Sequence, residues 1–112
     1  MSGRRFRPSP AADTIRRVVD DLRVENQPER SRYELRRGDE LIGFADYRPR
    51  AGGIAITHTE VQDEYEGRGF GTHLAQAALD DARERGLEVD PLCPFVAHFM
   101  RLHPEYERLR PG

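Results

Sequence analysis

The hydrophobic period of this chain first turns from strand-like to helical where three alternating glycines stand: Glu66-Gly67-Arg68-Gly69-Phe70-Gly71-Thr72. Ahead of them apolar residues recur at every second position, with Tyr33 and Leu35 alternating with Arg32, Glu34 and Arg36, which predicts a half-buried strand. Behind them Phe70, Leu74, Ala78 and Ala82 recur at every fourth, flanked by Ala75, Ala77 and Leu79, while Gln76, Asp80, Asp81 and Arg83–Arg85 look outward. Such a chain folds as strands first and an amphipathic helix after. The two are joined by backbone that glycine adopts most easily.

The rest of the pattern fills in around that switch. Gly38-Asp39 predicts a tight turn from the Arg32–Arg36 strand into a second strand, Leu41–Arg48, because glycine at the first central position tolerates a positive φ. Pro49 through Gly53 reads as another turn, and Ile54–Val61 as a third strand, giving an antiparallel meander. Strict alternation places Ile54, Ile56, His58 and Glu60 on one face of that strand and Ala55, Thr57, Thr59 and Val61 on the other. Gly86 ends the long helix as a left-handed residue. Leu87–Leu92 follows as a strand, and Cys93-Pro94 leads into a second helix, Phe95–Leu102, with Pro94 suited to its first position. Phe95 and Phe99, four apart, read as core, and Pro104 opens a last turn to Leu109. Toward the start, Asp13 caps a helix through Ile15, Val18, Val19 and Leu22, or the segment up to Val24 is an edge strand; the residues leave both open. Residues 1–12, rich in arginine and proline, are expected to be a mobile basic tail, and residues 13–112 one compact domain.

Charge excludes several classes. The chain has 18 basic and 20 acidic residues and a net charge of −2, so it lacks the one-sign field of a nucleic-acid or anionic-membrane binder. Its apolar runs are far shorter than the ~20 residues that cross a bilayer, and no signal-peptide pattern opens it. Cys93 is the sole cysteine, so no intrachain disulfide forms, and a reducing cytoplasm is the expected compartment. His98 and His103 are five apart, out of step for one metal ion, and no metal site is expected.

Chemistry concentrates at the glycine turn. Three glycines let backbone approach a ligand closely, and a helix start leaves N–H groups unpaired and aimed at one point, which suits a phosphate. Arg68 adds a cation. Neither a P-loop nor the dinucleotide fingerprint is present, since Thr72 stands where the latter needs its third glycine. Val61 followed by Gln62–Gly71 resembles the coenzyme A signature of the GNAT superfamily, Gln/Arg-x-x-Gly-x-Gly/Ala, with Gly69 and Gly71 at its glycines and Glu66 where Gln or Arg is usual. His58-Thr59-Glu60-Val61, Glu66–Gly71, Cys93-Pro94-Phe95-Val96 and His103-Pro104-Glu105-Tyr106, in that order, resemble a small, truncated GNAT-like N-acetyltransferase subfamily over residues 22–110.

The resemblance implies an α/β (α+β) fold: a central, mostly antiparallel sheet with a splayed strand pair and two main C-terminal helices. It implies acetyl-coenzyme A as ligand, its pantetheine arm along Thr59, Glu60 and Val61, and its pyrophosphate on the backbone of Gly67, Arg68, Gly69, Phe70, Gly71 and Thr72. It implies an unidentified primary amine as acceptor. The helical pair that usually follows the first strand has no room between Asn26 and Arg32, which leaves an acceptor site open to a protein side chain or polyamine. Cys93, ahead of a helix whose start favours negative charge, is a candidate nucleophile or acyl-lining group; the plainer reading is a small buried hydrophobe. His58, with Glu60 beside it, is a candidate proton acceptor, or else the two tie the strand to its neighbours. Ala55 falls where several relatives carry a catalytic glutamate, and Phe99 and Met100 where many carry a tyrosine. A non-catalytic coenzyme A-binding sensor or interaction module is therefore the alternative function.

Overall fold

The computed structural model describes residues 22–112, so the basic tail and most of the segment from Asp13 lie outside the described residues. Leu22–Val24 fall in a strand. The five strands stand side by side in chain order: β1 (Leu22–Gln27), β2 (Arg32–Arg37), β3 (Glu40–Arg50), β4 (Gly53–Val61) and β5 (Glu88–Pro91). The first four form the antiparallel meander, and β5 adds in parallel to β4. Between β1 and β2 there is only a 3-10 turn, Pro28–Arg30, with no helical pair.

Each junction has a local cause. Gly38, at φ +59, turns β2 into β3 as its position demands. The next hairpin is tighter than expected, because Pro49 and Arg50 stay in β3 and Gly53 starts β4, leaving Ala51 and Gly52 as the turn. Helix α1 (Phe70–Glu84) buries Phe70, Leu74, Ala75, Ala78, Leu79 and Ala82, the stripe that the four-residue period marks. Gly86, at φ +71, closes it with paired bonds from Gly86 N to Arg83 O and Leu87 N to Ala82 O, which satisfy carbonyls the helix leaves open. Helix α2 (Pro94–Leu102) begins on Pro94, and a single turn, α3 (Pro104–Glu107), follows.

One core lies between the sheet and the helices, with Tyr33, Leu35, Ile42, Ile56, Leu74, Leu79, Val89, Val96 and Met100 almost fully enclosed. Tyrosines pin it. Tyr33 and Tyr106 donate hydroxyl hydrogen bonds of 2.7 Å to Asp81 and Asp80, so these two α1 carboxylates are half-buried anchors rather than outward groups. Burial pushes the Tyr33 and Tyr106 hydroxyls above the ordinary phenol range, and the carboxylates they bind push them further.

Two departures from alternation matter. Glu34, expected on the solvent face of β2, is 1% exposed. Arg30, Arg32 and Arg36 close over it at 3.3, 2.9 and 3.0 Å, their stems covering the carboxylate they neutralise. Burial alone would raise this carboxyl; the bonds and charges of Arg32 and Arg36 outweigh it and hold the group below its usual range. The second departure is a bulge in β3/β4. Asp46 pairs with His58 and Tyr47 with Ile56, leaving Thr57 as the extra residue. The faces therefore exchange at Thr57. Thr59 and Val61 join the core side of Ile54 and Ile56, while His58 and Glu60 turn to solvent, correcting the strict alternation.

Gly53 fixes how β5 docks. A Cβ there would lie 2.1 Å from the Glu88 carbonyl oxygen, so only glycine admits β5 at this point.

Three outcomes follow from these contacts. Glu34→Ala leaves three converging guanidiniums without their carboxylate and should cost roughly 1–3 kcal/mol in denaturant unfolding. In the wild type, stability should fall in acid as pH drops through the depressed carboxyl of Glu34, and in alkali as pH rises through the raised hydroxyls of Tyr33 and Tyr106. Gly53→Ala should cost several kcal/mol, on the order of 3 or more, and lower amide protection in β5, read by hydrogen exchange.

Candidate functional site

Strands β4 and β5 separate where the site begins. They pair from Gly53 with Glu88 to Ile56 with Pro91. The amides of Leu92 and Cys93 then both donate to the Ile56 carbonyl, each at 3.0 Å, and the chain turns away into α2 while β4 runs on to Val61. In this fork sits Cys93, 6% exposed, at the N-cap of α2, its Sγ 3.5 Å from the Thr59 hydroxyl.

Beyond the fork opens a cleft of about 280 Å³. Its floor is the glycine turn, Gly67, Gly69, Phe70, Gly71 and Thr72, with Glu66 on the rim and Val61, Tyr65 and Phe95 as walls. Gly69 is the N-cap of α1 at φ +81, and no side chain caps this helix. The first bond of the helix runs from His73 N to Gly69 O, so the amides of Gly69, Phe70, Gly71 and Thr72 have no acceptor within it. A Cβ built on Gly67 or Gly69 would meet nothing within 4 Å, which means the backbone there faces open space. These amides carry the positive end of the α1 dipole into the cleft.

The loop leading to the turn is held in place. Tyr65 donates its hydroxyl to Glu40, its ring meets Phe70 edge-on at 5.7 Å, and the Gln62 side chain bonds the Leu41 carbonyl. The bond to Glu40, then partial burial, raises the Tyr65 hydroxyl above its ordinary range and keeps it a donor. Arg68 does not line the cleft; its guanidinium lies 5.8 Å from the Tyr65 ring centre.

The expected site residues thus divide into three groups. Val61 and the glycine turn are gathered in the cleft, and Thr59 meets Cys93 in the fork. His58 and Glu60 are elsewhere: they pair with each other at 3.0 Å on the exposed face, where His58 also lies against Phe44. The bulge at Thr57 puts them there, on the opposite face of β4 from the thiol. Phe95 is corrected from core to wall. It is 42% exposed, and its Cζ would stand 3.2 Å from a Cβ on Gly71, so the small residue and the ring fit one against the other. Tyr65 and Phe95 are the lining residues that sequence reasoning missed as such. A tyrosine amid Asp63, Glu64 and Glu66 carries no periodic signal, and Phe95 lies four residues before Phe99, which is buried.

Fold and site define a small α+β domain with a splayed parallel strand pair and an uncapped helix start opening on a cleft. The chain belongs to the GCN5-related N-acetyl-transferase family, whose profile matches residues 32–109. It is 33% identical over 96 residues to Protein NATD1 of Mus musculus, covering 80% of this chain and 86% of that protein. It is likewise 33% identical to Protein NATD1 of Homo sapiens, over 80% of this chain and 84% of that one. In solved structures, a GCN5-like chain from Staphylococcus aureus superposes with a TM-score of 0.63 at 25% identity, over 83% of this chain and 91% of the other. Among the described residues no helix is long and apolar enough to cross a membrane.

Proposed function

We propose that this chain binds acetyl-coenzyme A and passes the acetyl group to a primary amine. The observation that carries the reading is the set of amides at the start of α1, without intrahelical acceptors and open to the cleft beside a splayed strand pair. Those amides suit a diphosphate, because they donate toward one point and add a dipole that favours negative charge. Val61 and Phe95 offer apolar walls to a chain leaving the phosphate site, and the fork leads on to Thr59 and Cys93. Glu66, exposed on the rim, is the lining carboxylate that opposes an anion there.

The ligand supplies a thioester whose acyl carbon an amine attacks, giving an amide and a free thiol. The residues of this chain bind and orient. The Gly67–Thr72 turn anchors the diphosphate, the fork admits the acyl end away from bulk water, and Cys93, held by Thr59, lines that end. His58, the other candidate base, is paired with Glu60 on the opposite face, so in this reading water takes the proton that the amine sheds before attack. Among the described residues no α-helix lies between β1 and β2, and the outer face of the sheet gives the amine its approach. A non-catalytic coenzyme A module is the second reading, favoured by Ala55, which is buried and has no proton to move near the place where the resemblance puts a glutamate in several family members.

One variant separates binding from folding. Thr72 is exposed at the third position of α1, where aspartate favours a helix. Thr72→Asp should therefore unfold no earlier than wild type yet bind coenzyme A about tenfold or more weakly by titration calorimetry, because its carboxylate takes the place and charge of the phosphate. Amine-dependent release of free thiol, lowered in Cys93→Ala, supports transfer. Binding without turnover across an amine panel supports the module, and a wild type that binds neither coenzyme A nor acetyl-coenzyme A overturns both.

A further inference from the structure

Strand β1 presents an edge that the described residues leave open. It pairs with β2 alone, in an unbroken register from Leu22 opposite Arg37 to Gln27 opposite Arg32, with no bulge and no proline to blunt it. A straight edge with its outward N–H and C=O groups exposed is a template for another strand. Its side chains are in two sets. Leu22 and Val24 pack partly against the core and remain half-exposed, while Arg23 and Glu25 lie on the outer face.

The outer-face charges sit opposite their own kind. Arg23 lies across from Arg36, and Glu25 across from Glu34. Like charges directly opposed in a sheet are unfavourable, and Glu34 already has its arginines from β2 and the turn before it. Among the described residues Arg23 and Glu25 therefore pair with each other along the strand, and Gln27 also donates to Glu25. A strand added on the open side can give each a direct cross-strand partner of opposite sign.

We propose that the strand that does so is β1 of a second copy of this chain, running antiparallel about a two-fold axis at Val24. The sequence Leu22-Arg23-Val24-Glu25-Asn26 is self-complementary in that one register. Arg23 faces the partner's Glu25, Glu25 faces the partner's Arg23, and Val24 meets its own copy. Sliding by two residues in either direction sets Arg23 against Arg23 or Glu25 against Glu25. Sliding by one puts valine and leucine against charged groups. The register is thus fixed by charge and by face together. It joins two five-stranded sheets into one, with both sets of helices on the same side. It also brings the partner's Leu22 beside Asn26, on the rim of a cleft of about 90 Å³ that Val24, Tyr33, Ala77 and Asp81 complete. Pairing over Leu22–Asn26 alone is small beside stable interfaces, which bury about 1,200–2,000 Å², so association depends on concentration.

Charge reversal tests this without harming the monomer. Arg23→Glu puts a carboxylate opposite Arg36 within the chain, and Glu25→Arg puts a guanidinium opposite Glu34; each single variant thus exchanges the along-strand pair for a cross-strand one and should melt close to wild type. Each nonetheless sets like charges across the two-fold axis. In sedimentation velocity over a wide range of concentration, the full chain should pass from monomer to dimer, and each single variant should associate about tenfold or more weakly. The double variant Arg23→Glu/Glu25→Arg should restore the dimer. A wild type that stays monomeric throughout, as it would if the segment before Leu22 covered this edge, overturns the proposal. So do single variants that dimerise as wild type does, or a double variant that fails to recover.

Discussion

A helix start that its own chain does not cap organises this molecule. Gly69 turns the backbone at φ +81, α1 follows at once, and the amides from Gly69 to Thr72 are left facing the cleft. Many helices satisfy such amides with a serine, threonine, asparagine or aspartate side chain, which glycine replaces at a cost of about a few tenths of a kcal/mol. Here glycine forgoes that stabilisation and keeps the space in front of the turn clear. The rest of the fold compensates. Tyr65 ties the loop to Glu40, the alanine-rich face of α1 lies flush on the sheet, and Asp80 and Asp81 draw in the hydroxyls of Tyr106 and Tyr33.

The second constraint is the addition of β5 to β4 over a short stretch and no further. Gly53 lets the strands approach at one end, and the double donation from Leu92 and Cys93 to Ile56 stops them at the other. Past Ile56 the two diverge by necessity, because the chain has turned into α2. The fork and the cleft thus arise from a single local event. The thiol of Cys93 lies at that branch point, and Phe95, two residues later, reaches back to close the cleft against Gly71. Among the described residues no α-helix lies between β1 and β2, and the face of the sheet opposite the helices carries His58, Glu60 and the arginine-covered Glu34.

Much of this was legible from residues alone, for reasons that can be named. The stripe from Phe70 to Ala82, the left-handed Gly86 and the first-turn Pro94 each follow from local rules, and the structure obeys them. The glycine turn was legible because three glycines between a strand and a helix exceed what a connection needs. What escaped depended on partners distant in sequence, on irregularity, or on side chains folding over a neighbour. The bulge opposite Thr57 has no signature in Thr57-His58-Thr59, yet it exchanges two faces and separates His58 from Cys93. Burial of Glu34 required three arginine stems to fold over one carboxylate, and the wall role of Phe95 required Gly71 to come to it. Of the site, then, the cradle could be read and its walls could not.

The claim on which the account rests is that the amides at the start of α1 grip a diphosphate, and backbone amide chemical shifts report on them one by one. Titrating the isotopically labelled protein with coenzyme A should move the Gly67–Thr72 resonances most, with Val61 and Phe95 following and the β1 edge unaffected. Shifts confined to the outer face around His58 and Glu60, or none at saturating ligand, would contradict it.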